Sequence, residues 1–152
     1  MNYEIFKKYD QTYMSLAIEW SKLSFCKKKK VGAIIVKKNR IISDGYNGTP
    51  SGFDNICEDK NGETKWYVLH AEANAILKIS TSSYSCKGAF LYITHFPCLE
   101  CSKLIYQSKI KRVVYLYDHK YTIKNDGLNF LIKSKIIVDP IFINDQKTQM
   151  AE

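Results

Sequence analysis

Residues 69–76 read Leu-His-Ala-Glu-Ala-Asn-Ala-Ile, and further on the chain reads Phe96-Pro97-Cys98-Leu99-Glu100-Cys101. Nothing else in the sequence constrains the fold as strongly. His70, Cys98 and Cys101 offer one imidazole and two thiols from segments that only a folded chain can bring together. A zinc ion that performs chemistry takes three protein ligands of these types and keeps a fourth tetrahedral position for water. It lowers the pKa of that water from about 15.7 to about 7, and the released proton needs a carrier. Glu72, beside His70, is placed to be that carrier. The alternative is a closed structural zinc knot with a fourth ligand from Cys26, Cys57 or Cys86, but such a site has no use for Glu72.

A chain of 152 residues with 45% hydrophobic content suits one domain with one core, spanning residues 1–152. Residues 1–10 alternate charged and aromatic side chains and do not read as a secretory signal. No run approaches the roughly 18 apolar residues of a membrane span. Five cysteines are an odd number, and Cys98-x-x-Cys101 precedes a helical pattern in a chain with no readable export signal, which favours metal binding over a disulfide framework; the expected location is cytoplasmic. The formal charge of +8 favours anionic partners such as nucleotides or nucleic acid. Part of it is the run Lys27 to Lys30, a composition that more often marks a solvated loop than a binding site.

Apolar residues recur at helical spacing over residues 10–25, with Asp10 or Thr12 as N-cap and Met14 and Trp20 as core. Residues 31–36 and 40–46 read as strands joined by a short hairpin turn at Lys37-Lys38-Asn39. Residues 47–66, rich in Gly and polar side chains, read as a long irregular loop of the kind that is usually functional or mobile. A helix follows over 70–80, carrying His70 and Glu72 in its first turn, and then a buried strand over 89–94. Pro97 suits the first position of the next helix, and Cys98 and Cys101 then share one helical face. A strand over 112–117, a helix over 123–133 and an extended run over 135–143 broken by Pro140 complete the chain. This order argues for an α/β fold with a mixed sheet, because the opening hairpin is antiparallel while later crossovers suit parallel strands.

The His-x-Glu and Pro-Cys-x-x-Cys pair is the signature of zinc-dependent nucleobase deaminases. From Met14 to Ile136 the chain resembles the cytidine and deoxycytidylate deaminase superfamily, and within it the deoxycytidylate (dCMP) deaminases. The closer likeness lies in Val31-Gly32-Ala33-Ile34-Ile35-Val36, Gly45-Tyr46-Asn47-Gly48-Thr49-Pro50, Gly88-Ala89-Phe90-Leu91-Tyr92-Ile93-Thr94 and residues 104–115.

That resemblance implies a three-layer fold with a five-stranded mixed sheet and helices on both faces. It implies Zn2+ held by His70, Cys98 and Cys101, with Glu72 as catalytic residue moving the proton to ring nitrogen 3 and then to departing ammonia. The product would be dUMP, for thymidylate synthesis. Asn47 matches a contact to the substrate sugar and phosphate, although Asn-Gly is also a common turn former. Ala71 would lie near the base plane with its N–H serving the base. Lys28 matches a position where relatives often carry Arg, whose bidentate fork Lys lacks. Tyr121 resembles a tyrosine whose hydroxyl meets the phosphate. Tyr46, Asn47 and Gly48 resemble the segment where family members bind regulatory dCTP and dTTP, often with Mg2+, at subunit contacts of a homo-oligomer, a hexamer. Cys26 and Cys57 fall where some relatives place two ligands of a second zinc, but Val68 and Leu69 stand where a further donor is expected. Buried free thiols are the favoured reading there. His95 reads as a loop or packing residue, and His119 carries no signal.

An adenosine deaminase acting on tRNA shares the zinc motif and suits the positive charge. Residues 45–50 and the lack of a long basic C-terminal helix weigh against it, and nucleic acid is not the expected partner. A nucleoside cytidine deaminase is a second alternative. A zinc-dependent binding module that keeps the fold without chemistry is a third, against which the intact Glu72 weighs.

Overall fold

The computed structural model describes residues 3–116 and 125–143. In chain order these form α1 (Tyr3–Ser21), β1 (Gly32–Lys37), β2 (Arg40–Tyr46), α2 (Ala71–Ile79), β3 (Phe90–Ile93), α3 (Leu99–Gln107), β4 (Arg112–Leu116), α4 (Asp126–Lys133) and β5 (Ile137–Ile141). Pairing begins at a tight turn. Lys38 and Asn39 adopt φ of 48° and 61°, the left-handed pair that a two-residue type I′ turn needs, so β1 and β2 leave it with the natural strand twist.

The five strands form one sheet in the order β2-β1-β3-β4-β5. β1 is antiparallel to both β2 and β3, whereas β3, β4 and β5 run parallel. The expected mixed α/β sheet is therefore present. Side chains alternate across it with the period of two that strands impose. Ile34, Val36, Tyr92 and Val114 face Tyr13, Met14 and Ala17 of α1 on one side. Ala33, Ile35, Leu91, Ile93, Val113 and Tyr115 face Ala71, Ala75, Ile105 and Leu131 of the other three helices on the opposite side. Met14 is wholly buried, and Trp20 packs at the edge of its cluster while its indole N–H donates to Asp44 at 2.9 Å.

Two glycines bring helices close to the functional end of the sheet. A Cβ on Gly45 of β2 would run into the Ala71 carbonyl and lie 2.7 Å from the Ala75 nitrogen, so only glycine lets α2 sit this near the sheet. A Cβ on Gly127 of α4 would meet the Pro97 carbonyl and lie 2.9 Å from the carbonyl carbon of Cys98. α4 thus buttresses the turn that leads into α3.

The elements differ from the sequence expectations where a side chain finds a better partner. α1 starts at Tyr3, so Asp10 is not an N-cap but an interior helix residue, 8% exposed. Its carboxylate accepts both terminal nitrogens of Arg112 at 2.9 and 2.8 Å and the Tyr92 hydroxyl at 2.7 Å. The Arg112 Nε donates to Asp139 at 2.7 Å, which ties α1, β3, β4 and β5 together. Thr12 is not a cap either; its hydroxyl bonds back to the Lys8 carbonyl. β5 runs through Pro140, paired opposite Tyr115, because an edge strand leaves alternate N–H groups unpaired and so tolerates proline. α4 starts at Asp126 because the Asn125 side chain caps it, accepting from Gly127 and Leu128. Residue 117 of the expected strand and residues 123–124 of the expected helix lie outside the described residues. Among the described residues no helix is long and apolar enough to cross a membrane.

Removing one member of a buried charge pair strands the other, a loss of about 3–5 kcal/mol. Asp10→Ala should therefore lower unfolding free energy by about 3 kcal/mol in urea titrations followed by tryptophan fluorescence; a loss below about 1 kcal/mol would match an exposed pair instead. Gly127→Ala should cost roughly 1–3 kcal/mol by overpacking, read as a lower thermal midpoint, and an unchanged midpoint would refute the close approach.

Candidate active site

His70 is the N-cap of α2, with φ −77° and ψ 155°, not a residue of its first turn. Cys98 is likewise the N-cap of α3, with φ −67° and ψ 170°, and its sulfur accepts the Cys101 N–H at 3.5 Å. The two sulfurs therefore meet through a capping turn, not through the shared helical face that a helix starting at Pro97 would give. Both helices aim their N-termini, with unpaired N–H groups and positive dipole ends, at one point.

The imidazole Nδ1 of His70 lies 3.5 Å from the Cys98 sulfur and 3.4 Å from the Cys101 sulfur. Zinc bonded tetrahedrally at about 2.3 Å to sulfur and 2.0–2.1 Å to nitrogen would hold such N···S pairs about 3.6 Å apart. The trio therefore fits that ion, with its three donor atoms all within 4.8 Å of one another. It is the one such cluster among the described residues.

Charge is distributed to suit a cation. Hydrogen bonds from Cys101 and then from His70 hold the Cys98 thiol far below the usual range, at about 3. Cys101 is raised in turn, chiefly by its hydrogen bond to the Cys98 sulfur and then by burial. The N–H of Ala73, in the first turn of α2, favours the second thiolate. The His70 imidazole is raised through its bond to Cys98.

Glu72 is 4% exposed, and burial pushes its carboxyl up to about 7, opposed by its own backbone N–H and by His70. It lines one cavity together with His70, Ala71, Cys98, His95, Phe96, Val31 and Asn47. Phe96 is fixed by a ring contact with Tyr115, centroids 3.8 Å apart. His95, expected as a loop or packing residue, lies in the bend after β3 and lines this cavity, with its Nδ1 3.3 Å from the Thr94 hydroxyl.

Asn47 stands in the wall with its amide engaged on both sides. Its Oδ1 accepts the Val31 N–H and its Nδ2 donates to the Lys29 carbonyl, both at 2.8 Å. Lys28 is elsewhere: it pairs with Glu63 at 2.6 Å over a different surface hollow. Lys29 lines the cavity instead, and its charge acts on both His70 and Glu72. Reading the lysine run by position alone missed this, because a one-residue shift in an irregular loop changes the side a chain faces. Tyr46 and Gly48 line a neighbouring groove with Phe25, Thr49, Pro50 and Lys78. Tyr121 and His119 lie outside the described residues.

Cys26 and Cys57 are neither free thiols nor metal ligands, because the structure joins them in a disulfide with Cα atoms 5.1 Å apart. Two sulfurs bonded to each other have no thiolate to offer a metal.

The description "Cytidine and deoxycytidylate deaminase zinc-binding region" belongs to the family model that matches residues 7–117. The deoxycytidylate deaminase of Mycobacterium phage D29 is 36% identical over 121 residues, covering 70% of this chain and 93% of the phage protein. The human deoxycytidylate deaminase is 33% identical over 165 residues, covering 93% and 91%. The crystal structure of dCMP deaminase from the cyanophage S-TIM5 in complex with dCMP and dUMP superposes with a TM-score of 0.83 at 43% identity, covering 93% of this chain and 99% of that one. With a metal trio of the right spacing at two helix caps and a family model matched across residues 7–117, the chain belongs to the cytidine and deoxycytidylate deaminase family.

Proposed function

We propose that this chain deaminates dCMP hydrolytically to dUMP and ammonia. The observation that carries the reading is the buried Glu72 carboxyl opening into the same cavity as the His70, Cys98 and Cys101 donors. The choice of substrate is supported by the likeness to an enzyme whose structure holds dCMP and dUMP.

In this reading His70 Nδ1 and the sulfurs of Cys98 and Cys101 hold zinc. When bound there, zinc supplies the acidity that makes water a nucleophile toward carbon 4 of cytosine near neutral pH. Glu72 receives the proton that water loses, delivers it to ring nitrogen 3, and carries the next to the departing amine. A carboxyl raised to about 7 suits this, since a shuttle works best when both of its forms are accessible at the working pH. Ala71 lies at the start of α2, where its N–H has no intrahelical acceptor, and it serves the base. Val31 and Phe96 supply apolar surface for the ring. Asn47 retains one amide hydrogen and one lone pair for the sugar. Lys29 takes the phosphate, in place of Lys28, because it is the lysine that lines the cavity.

The same reading extends to a cytoplasmic homo-oligomer, a hexamer, in which the groove beside Tyr46 and Gly48 takes dCTP or dTTP with Mg2+. Support for that groove is its shape and its adjacency to Asn47, whose neighbours on both sides line it. Tyr121 remains a second candidate for the phosphate.

Glu72→Gln should cut kcat by about 10³-fold, within the range general acid–base catalysis supplies, while zinc per chain stays unchanged. Loss of the metal in that variant would favour a structural zinc knot. Lys29→Ala should raise KM for dCMP about 10-fold, the worth of a hydrogen bond to a charged group, and leave deoxycytidine turnover as it was; Lys28→Ala should change neither value. Ammonia release from a panel of free and phosphorylated cytidines and deoxycytidines, with and without dCTP or dTTP, measures all of this. Inosine formed on tRNA without dUMP from dCMP would overturn the assignment.

A further inference from the structure

Two irregular segments make the nucleotide side of the cavity: residues 22–31, which carry Lys29 and Val31, and residues 47–70, which carry Asn47, Glu58, Thr64 and Val68. Neither belongs to the sheet, and the second holds only the isolated bridges Gly48 to Leu69 and Glu58 to Thr64. Hydrogen bonds, the exposed Lys28–Glu63 ion pair and one further tie hold one segment against the other. The Asn47 amide spans Lys29 and Val31. One oxygen of Glu58 accepts the N–H groups of Lys27 and Lys28, at 2.7 and 2.9 Å, in an exposed setting open to competition from water. The third is covalent: the disulfide between Cys26 and Cys57, which closes a sequence separation of 31.

The bond forms part of the partition between two hollows. Cys26 lines the active-site cavity, and Cys57 lines the groove on the other side with Tyr46 and Gly48. Both cysteines are almost fully covered, at 2% and 1% exposure, and each borders a hollow. The Cys26 sulfur also lies 3.8 Å from the Asn47 carbonyl, so the bond sits directly behind the residue that joins the two walls. The other three cysteines are free, Cys86 in the core and Cys98 and Cys101 in the metal trio.

We propose that the Cys26–Cys57 pair is a reversible redox site that fixes the two loop walls of the nucleotide cavity, so that reduction by a thiol weakens dCMP binding and leaves the metal trio intact. The part concerning dCMP rests on the deaminase reading above. Reduction takes two electrons. A thiolate of glutathione attacks one sulfur, the Cys26–Cys57 bond breaks, and a mixed disulfide forms. A second glutathione displaces the cysteine from it, leaving two protein thiols, which hold the two protons, and one oxidised glutathione. In a reducing compartment, disulfides that do form are usually transient and redox-sensing. With the bond open, the hydrogen bonds of Asn47, Glu58 and Ser24 and the exposed Lys28–Glu63 ion pair must offset the entropy of closing the loop without a covalent tie. The binding-competent arrangement is then a fraction of the population, and apparent affinity falls by that fraction.

The test is to equilibrate the zinc-loaded protein, without air, in glutathione buffers from oxidising to reducing. Alkylation and peptide mass spectrometry then read the fraction of linked Cys26 and Cys57, alongside zinc per chain, kcat and KM for dCMP. KM should rise about five-fold as the pair opens, following its titration, with kcat and zinc unchanged. The Cys26→Ser/Cys57→Ser double variant should sit at the high KM at every poise. A KM that stays flat while the pair converts, a pair that never links at the oxidising end, a double variant that still responds, or zinc lost in step with activity would each overturn the proposal. The wild-type titration decides the matter even if the double variant does not fold. Absence of dCMP turnover at both ends would instead sink the deaminase reading and this proposal with it, whereas turnover with a flat KM sinks the redox site alone.

Discussion

Two helix N-termini aimed at one point are an electrostatic liability until something negative sits between them. Each offers unpaired N–H groups and roughly half a positive charge. The caps of α2 and α3 are His70 and Cys98, so the residues that terminate the helices are themselves members of the cluster that could hold a metal ion. Cys98 illustrates the double duty. Its sulfur accepts the Cys101 N–H as a cap does, and the thiolate character that makes it a good cap also makes it a good ligand. Gly45 and Gly127 matter to the site because they let α2 sit close on β2 and α4 close on the turn into α3, which fixes where the two helix starts stand.

Burial works in opposite directions on the acidic groups gathered there. It raises the Glu72 carboxyl to about 7, where both of its protonation states are accessible near neutral pH, and it opposes a second thiolate at Cys101. A divalent cation relieves that second cost, because it turns two adjacent thiolates from a repelling pair into a ligand set. The site is thus arranged around a charge that the protein alone does not carry.

The chemical half of this site was readable before any coordinates, because metal ligation demands rare residue types at rigid spacing. His70, Cys98 and Cys101 converge as expected, and the hairpin at Lys38 and Asn39 and the mixed sheet follow from local turn chemistry and apolar alternation. What could not be read depended on long-range partners. Asp10 looks like a cap in sequence, and nothing local shows that Arg112, 102 positions away, claims its carboxylate. Cys26 and Cys57 are 31 apart in irregular loops, where no periodicity reports proximity. In a lysine run, Lys28 and Lys29 are chemically the same, and only the loop path decides which one faces the cavity. Pro140 misled for a related reason, since its cost depends on whether the strand lies at an edge.

The same division separates the supports of the two halves. The metal trio and Glu72 hang on helix starts packed against a buried sheet, where displacing a side chain disturbs a close-packed core. Asn47, Lys29, Glu58 and Val68 hang on loops held by a few hydrogen bonds and one disulfide. Loops tolerate replacement far better than cores do. A scaffold built this way can hold the helix-borne cluster in place while the loop residues vary. Anything that loosens the loops, in this arrangement, disturbs the cavity wall before it disturbs the metal trio.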